Sequence, residues 1–234
     1  MKLAIMQPYL FPYLGYFHLI HAADKFVFYD DVSFIKNGWI NRNRLLLAGS
    51  PHYFTVPLSG ASPFAAIKDV KFETPGERWK RKMRATFEQG YKAAAHRNDG
   101  LRLLDTVLSS STDSIADLAR SSVRVVLEHL GLRRNVVDTS QGYGNDALKG
   151  PARILDICRR EAATTYVNLP GGRGLYDSSA FRSAGIDLRF IDSQFPPYSQ
   201  GSGAFVPGLS ILDVVMHCPP AEIRAMLEQY ALKQ

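Results

Sequence analysis

The residues best able to move a proton or hold an anion are His18, His21, Asp30, Asp31 and Lys36, all close to the start of the chain. His18 and His21 stand three apart, so on a helix they share a face. A metal pair at that spacing needs further carboxylate or cysteine ligands within reach; none follows, and no metal site is expected. His18 is instead a candidate general base, because imidazole titrates near neutrality, with structural packing as the alternative. Asp31 supplies a carboxylate to stand near it, and Lys36 and Arg42 supply cations for anionic oxygens. A surface ion pair between Asp31 and Lys36 would explain those two without any function.

Rings and amides surround these groups, with ten aromatic side chains between residues 6 and 44. Gln7, Tyr13 and Tyr16 follow the first apolar run, where Pro8 and Pro12 fix the backbone. Tyrosines there offer flat surfaces with a polar tip, suited to a sugar or a base. Further on, Asn37, Asn41 and Asn43 bracket Trp39. An Asn-Gly hairpin turn explains Asn37-Gly38 but leaves Asn41, Arg42 and Asn43 for a ligand. Late in the chain, Gly171-Gly172 lets backbone approach an anion, with Tyr176 in the same loop. That loop lacks both GxGxxG spacing and a phosphate-binding lysine, so a plain turn serves equally well. The expected substrate-binding set is therefore Gln7, Tyr13, Tyr16, Asn37, Trp39, Asn41, Arg42, Gly171, Gly172 and Tyr176. His18, Asp31 and Lys36 form the expected catalytic set.

What must position them is a sheet. "KLAIM" and "KFVFYD" read as strands, and Gly15 to Ala23 between them as a short helix. Strand, helix and strand within so short a span is a βαβ unit, which implies parallel pairing. "HYFTVPL", "NVVDTS", "TTYVNL" and "GIDLRFID" are further strands. Thr74-Pro75-Gly76-Glu77 has the capping residues of a helix start, followed by Trp79, Met83 and Phe87 as one apolar stripe. Two more helices fill residues 99–131; the second carries Ile115, Ala119, Val123, Val126 and Leu130 on one face and stops near Gly131. "LKGPARILDICRREA", "LSILDVVMHC" and "PAEIRAMLEQYAL" complete the helices. The expectation is one α/β domain over residues 1–234, a mainly parallel sheet flanked by helices, with a helical insertion or cap at about 75–131. In such sheets ligands bind beyond the carboxyl ends of the strands. The segments there are Gln7 to Gly15, Asp30 to Arg44, Ser140 to Gly150 and "NLPGGRGLYD", which hold most of the unusual polar residues.

Composition narrows the classes. The chain has 234 residues and a net charge of +6, with eight Lys and Arg against three Glu between residues 71 and 97. A basic patch of that kind attracts anionic small molecules, or is a solvated helix face; no nucleic-acid motif accompanies it. No apolar run is long enough for a membrane span, and "MKLAIMQPYLFP" does not read as a signal peptide. Cys158 and Cys218 lack metal or redox spacing and read as free buried thiols in a reducing cytoplasm.

"QPYLFPYLGYFHLI", "ADKFVFYDDVSFIKNGWINRN", "LKGPARILDICRREAATTYVNLPGGRGLYD" and "FVPGLSILDVVM", in this order, resemble the WbqC-like protein family over nearly the whole chain. Members usually carry a histidine before the Gln-Pro pair, where this chain has Met6, and an Asn and a Gly where it reads "MHCPP". The resemblance implies an accessory enzyme of surface-polysaccharide or natural-product biosynthesis. Such an enzyme would be an acyl or aminoacyl transferase acting on an amino sugar or nucleotide sugar, with a carrier-linked acyl donor as one expected partner. The opening βαβ is also similar to that of nucleotidylyltransferases of the HIGH type, although His18 and His21 lack the intervening glycine. Nucleotidylyl transfer is thus one alternative, and a non-catalytic scaffold protein of a biosynthetic complex another. The cofactor and the oligomeric state stay open, a homodimer included.

Overall fold

The computed structural model describes residues 1–60, 62, 64–72, 78–201 and 203–234. The N-terminal half comprises β1 (Lys2–Met6), α1 (Leu14–Ala22), β2 (Lys25–Phe28), β3 (Arg42–Leu47), β4 (Ser50–Thr55), β5 (Leu58–Ser59), β6 (Lys71–Phe72), α2 (Arg78–Gly90), α3 (Arg97–Leu108) and α4 (Ile115–His129). The chain continues with β7 (Val136–Val137), α5 (Gly150–Arg160), β8 (Thr165–Asn168), α6 (Ser178–Ser183), β9 (Asp187–Ser193), α7 (Ile211–His217), α8 (Pro220–Met226) and β10 (Tyr230–Lys233). The capping residues Thr74 to Glu77 lie outside the described residues.

The main sheet runs β10-β9-β8-β1-β2-β7. β1 pairs in parallel with both β2 and β8, β8 with β9 and β2 with β7; β10 alone is antiparallel. This mixed, mostly parallel sheet with flanking helices is an α/β fold. Taken in chain order, its third, second, first, fourth, fifth and sixth strands lie side by side, the order of doubly wound dinucleotide-binding sheets. Alternation along the strands sends side chains to two cores. Ala4, Phe26, Phe28 and Val167 pack with the apolar faces of α1, α3, α4 and α7. Leu3, Ile5, Val27 and Tyr166 pack on the other side against Ile154 and Ile157 of α5 and Phe181 of α6. The stripe from Ile115 to Leu130 is fully buried, and Gly131 ends that helix at a φ of +66°.

Two expectations change. Asn37-Gly38 is not the hairpin turn. Asn37 does adopt a left-handed φ of 62°, but the hairpin joins β3 to β4 through Ala48 and Gly49, at φ 47° and 76°. Two positive φ values in succession make the tight turn whose twist suits a hairpin, and alanine there hides the signal that asparagine would give. The last helix is also shorter than its apolar spacing suggests. It stops at Met226, and Tyr230–Lys233 pairs antiparallel with β9 because Tyr230 and Leu232 alternate inward with period two.

Candidate functional site

Strand order reverses between β1 and β8, so the chain leaves these neighbours toward helices on opposite faces, the arrangement that in such sheets makes a crevice at the carboxyl ends. One side of it is the loop after β1, residues 7–13. The other is Asn168 with the 3-10 turn Pro170–Leu175.

The first loop is held from several directions. Phe11 sits in the left-handed region at φ 41°, a costly conformation for a residue with a bulky side chain. Distant segments hold it there. Its N–H donates to Ser122 Oγ at 2.8 Å, while its carbonyl accepts from Asn43 Nδ2 and Ser210 Oγ, each at 2.8 Å. Leu10 N–H reaches the Trp39 carbonyl at 3.1 Å, and Ile211 N–H the Pro12 carbonyl at 2.9 Å. Within this frame Tyr16 is fully buried and donates to the Gln7 carbonyl at 2.8 Å. The Tyr13 ring lies over Gly15, where a Cβ would stand 2.4 Å from it, so a larger residue there would displace the ring. Against this background the Gln7 amide and the Tyr9 and Tyr13 hydroxyls make no hydrogen bond to any described residue. Burial, with the Tyr9 phenol nearby, pushes Tyr13 up to about 12, and burial raises Tyr9 as well. Both remain protonated hydrogen-bond donors at neutral pH.

Across the crevice, Asn168 donates to Tyr176 Oη at 3.2 Å and accepts from Leu169 N–H at 2.7 Å. A Cβ on Gly172 would stand 2.8 Å from Asn168 Nδ2, so this glycine serves a close approach between loop and strand end. Gly171 is exposed and nothing would meet a Cβ there.

Beside the crevice, at the ends of β2 and β7, lies a network of ion pairs and hydrogen bonds. Asp30 accepts from Thr139 Oγ1 at 2.7 Å, from Ser140 N–H at 3.2 Å and from Arg120. Asp31 accepts from Ser140 Oγ and from Arg153 Nη2, the latter at 2.6 Å. Arg153, 2% exposed, also donates to Asn145 Oδ1 at 2.8 Å and lies over the Tyr29 ring. Nothing in the sequence pattern singled out Arg120 or Arg153. A signal for Arg153 does exist: it sits four residues before Ile157, on the apolar face of its helix.

The expected catalytic set is not brought together. His18 has no exposed surface; its Nε2–H donates to the Met226 carbonyl at 3.0 Å, and its ring packs on Phe195 and Tyr230. Burial above all, with His21 adding, pulls it below the usual imidazole range, and the bond to Met226 only partly offsets this. Asp31 is committed to Arg153, and Lys36 is exposed with no ion pair among the described residues. Asn41 and Asn43 are structural as well, while Asn37 is exposed. Asn41 Nδ2 donates to the Val56 carbonyl at 2.9 Å, and Asn43 Nδ2 to the carbonyls of Leu10 and Phe11. Segments 6–18 and 30–44 therefore pack directly together instead of facing each other across a pocket. What they leave outside is a half-exposed stack: Trp39 on Tyr53 with centroids 6.2 Å apart, the Arg42 guanidinium 4.5 Å above Tyr53 and Arg44 5.7 Å from Trp39. Arg42 also donates to the carbonyls of Gly38 and Asn37. Cys158 and Cys218 are free and buried, and burial pushes both thiols up to about 12, out of the nucleophilic range. No helix among the described residues is long and apolar enough to cross a membrane.

The sequence model of the WbqC-like protein family matches residues 7–225, which includes every element described above except β1, the last residue of α8 and β10. The chain is 29% identical over 220 residues to the uncharacterized protein Rv1507c of Mycobacterium tuberculosis (strain ATCC 25618 / H37Rv), covering 92% of this chain and 93% of that one. No solved structure is a significant match.

Proposed function

The chain belongs to the WbqC-like protein family, and on that footing we propose that it is a transferase, moving an acyl or aminoacyl group onto an amino-sugar or nucleotide-sugar substrate in the crevice between β1 and β8. One observation carries this reading. The loop after β1 is fixed by hydrogen bonds from several distant segments, yet keeps the Gln7 amide and the Tyr9 and Tyr13 hydroxyls uncommitted. Rigid backbone under unsatisfied polar groups is how a protein prepares a site for a ligand. Phenols that stay protonated donate to substrate hydroxyls or to a carbonyl oxygen as it gains negative charge. Lys36 and the Trp39–Tyr53 stack with its arginines lie on the neighbouring loop and hairpin, suited to an anionic group and a flat ring.

A second reading, nucleotidylyl transfer, has the strand order in its favour, since sheets of this order bind nucleotides at this crevice. The two separate in one assay. With a UDP-hexosamine and a thioester acyl donor, the first reading gives free thiol; with a nucleoside triphosphate and a sugar phosphate, the second gives pyrophosphate. Tight UDP-hexosamine binding with neither product would leave a carrier or scaffold protein.

A further inference from the structure

Away from the crevice, a cavity of ≈ 300 Å³ opens between the tip of the β3–β4 hairpin, the turn from α2 to α3 and the strap that precedes α7. Its wall contains Ala93, Ala94, Ala95, Ser199, Gln200 and His217, together with Leu46, Tyr91 and small residues, and no Lys, Arg, Asp or Glu among the described residues. Behind that wall lies Asp213, with no exposed surface. Its carboxylate accepts from Tyr91 Oη at 2.7 Å, Tyr198 Oη at 2.6 Å and Gln200 Nε2 at 2.9 Å. All three donors are neutral, and no described cation forms an ion pair with it. The charge is solvated by dipoles and forms no ion pair with a described residue, so it contributes a negative potential to the cavity in front of it, although the chain as a whole carries +6.

His217, one helical turn after Asp213, lines the cavity. Its ring contacts those of Tyr91 and Tyr198 at centroid distances of 5.7 and 6.3 Å. Neither ring nitrogen bonds to a described residue. Burial holds this imidazole below its usual range despite the nearby carboxylate, so it is neutral at physiological pH and offers one acceptor nitrogen. Tyr91 Oη, which also accepts from Leu46 N–H at 3.0 Å, is pinned on both sides, and Gln200 is committed to Val206 as well as to Asp213. That leaves His217 and the Ser199 hydroxyl as the side-chain groups free to meet a guest.

We propose that this cavity binds a small primary amine in its ammonium form, with the N–H donors on the His217 imidazole and the Ser199 hydroxyl and the charge balanced by Asp213 behind them. The volume lies at the small end of ligand pockets, about 300 to 1,000 Å³, which suits one six-membered ring or a short chain. Anions are disfavoured by the same carboxylate. The site is separate from the crevice and needs nothing from the transferase reading.

The test is a titration of the full-length protein followed by NMR, using cyclohexylammonium, cyclohexanol and cyclohexanecarboxylate as probes of one shape and three charges. The expected result is saturable binding of cyclohexylammonium with shifts at Ala94 and His217, at least roughly tenfold tighter than cyclohexanol, and no binding of the carboxylate. Ala94→Leu, which fills the cavity and touches no charge, abolishes binding, and Asp213→Asn removes the preference for the amine over the alcohol. The proposal is overturned if cyclohexanol binds as tightly as the amine, if the carboxylate binds better, if nothing binds, or if a folded Ala94→Leu protein binds as before. Should Asp213→Asn fail to fold, the comparison of amine with alcohol on the native protein decides the question of charge.

Discussion

Two neighbouring regions at the carboxyl edge of the sheet differ in composition and are opposites in how they use their polar groups. At the ends of β2 and β7, Asp30 and Asp31 have every partner they need in Arg120, Arg153, Thr139 and Ser140. At the end of β1, the side-chain polar groups of Gln7, Tyr9 and Tyr13 have no partner among the described residues. The β2–β7 region has the residue types associated with catalysis and uses them to tie α4 and α5 to the sheet. The β1 loop resembles ordinary aromatic packing and is where donors remain available. Commitment of hydrogen bonds, more than residue type, separates scaffold from site.

The largest expected effect falls on the scaffold. Arg153→Ala leaves Asp31 buried beside an empty position, and a broken buried ion pair costs about 3–5 kcal/mol. Urea unfolding should show a loss of that order. A loss below about 1 kcal/mol would mean that water already reaches the pair. Asn43→Ala comes next. It removes the donor to the carbonyls of Leu10 and Phe11, costing about 1–3 kcal/mol, and frees Phe11 to leave its left-handed conformation. This substitution should also weaken UDP-hexosamine binding from a distance, because the loop carrying Tyr13 loses its support. Unchanged affinity in a folded Asn43→Ala protein would break the link between the rigid loop and the site.

The smallest expected effect concerns His18, which the structure puts with the scaffold. Its folded pKa is lowered, so between that value and the unfolded value of about 6.5 only the unfolded chain binds the proton. The stabilising contribution is therefore complete above about pH 6.5 and declines as pH falls through this window. His18→Gln keeps an N–H for the Met226 carbonyl but cannot titrate. Its unfolding free energy should depend less steeply on pH between about 5 and 7 than that of the native protein, with substrate affinity unchanged. A lost pH limb of turnover without any change in the stability slope would return His18 to the catalytic set.

Much of the fold was legible because it depends on local pattern. "KLAIM", "KFVF" and "TYVN" are short, apolar and followed by turn chemistry, and the stripe from Ile115 to Leu130 admits one helical face. β3 was missed because "RNRLLL" shows no alternation and its turn is Ala48-Gly49. β10 was missed because "YALK" continues a helical composition, and only pairing with β9 reveals its period of two. The site was legible as a place and less so as a set of residues. Strand-end logic selected Gln7 and Tyr13, since that rule rests on topology. It could not tell Asn41 and Asn43, spent on carbonyls 15 or more positions away, from amides that await a ligand. Nor could it pair Asp31 with Arg153, a partner 122 residues distant.

The central claim is that uncommitted groups on a fixed loop form the substrate site. Its most direct test is calorimetric titration of UDP-hexosamine into Gln7→Ala/Tyr13→Phe, alongside the urea unfolding of the same protein. Because neither side-chain group bonds to a described residue, stability should stay within about 1 kcal/mol of the native value. Affinity should fall roughly tenfold or more, the worth of two hydrogen bonds to the ligand. A double variant that binds as tightly as the native protein, or that loses stability in proportion to its affinity, would contradict the account.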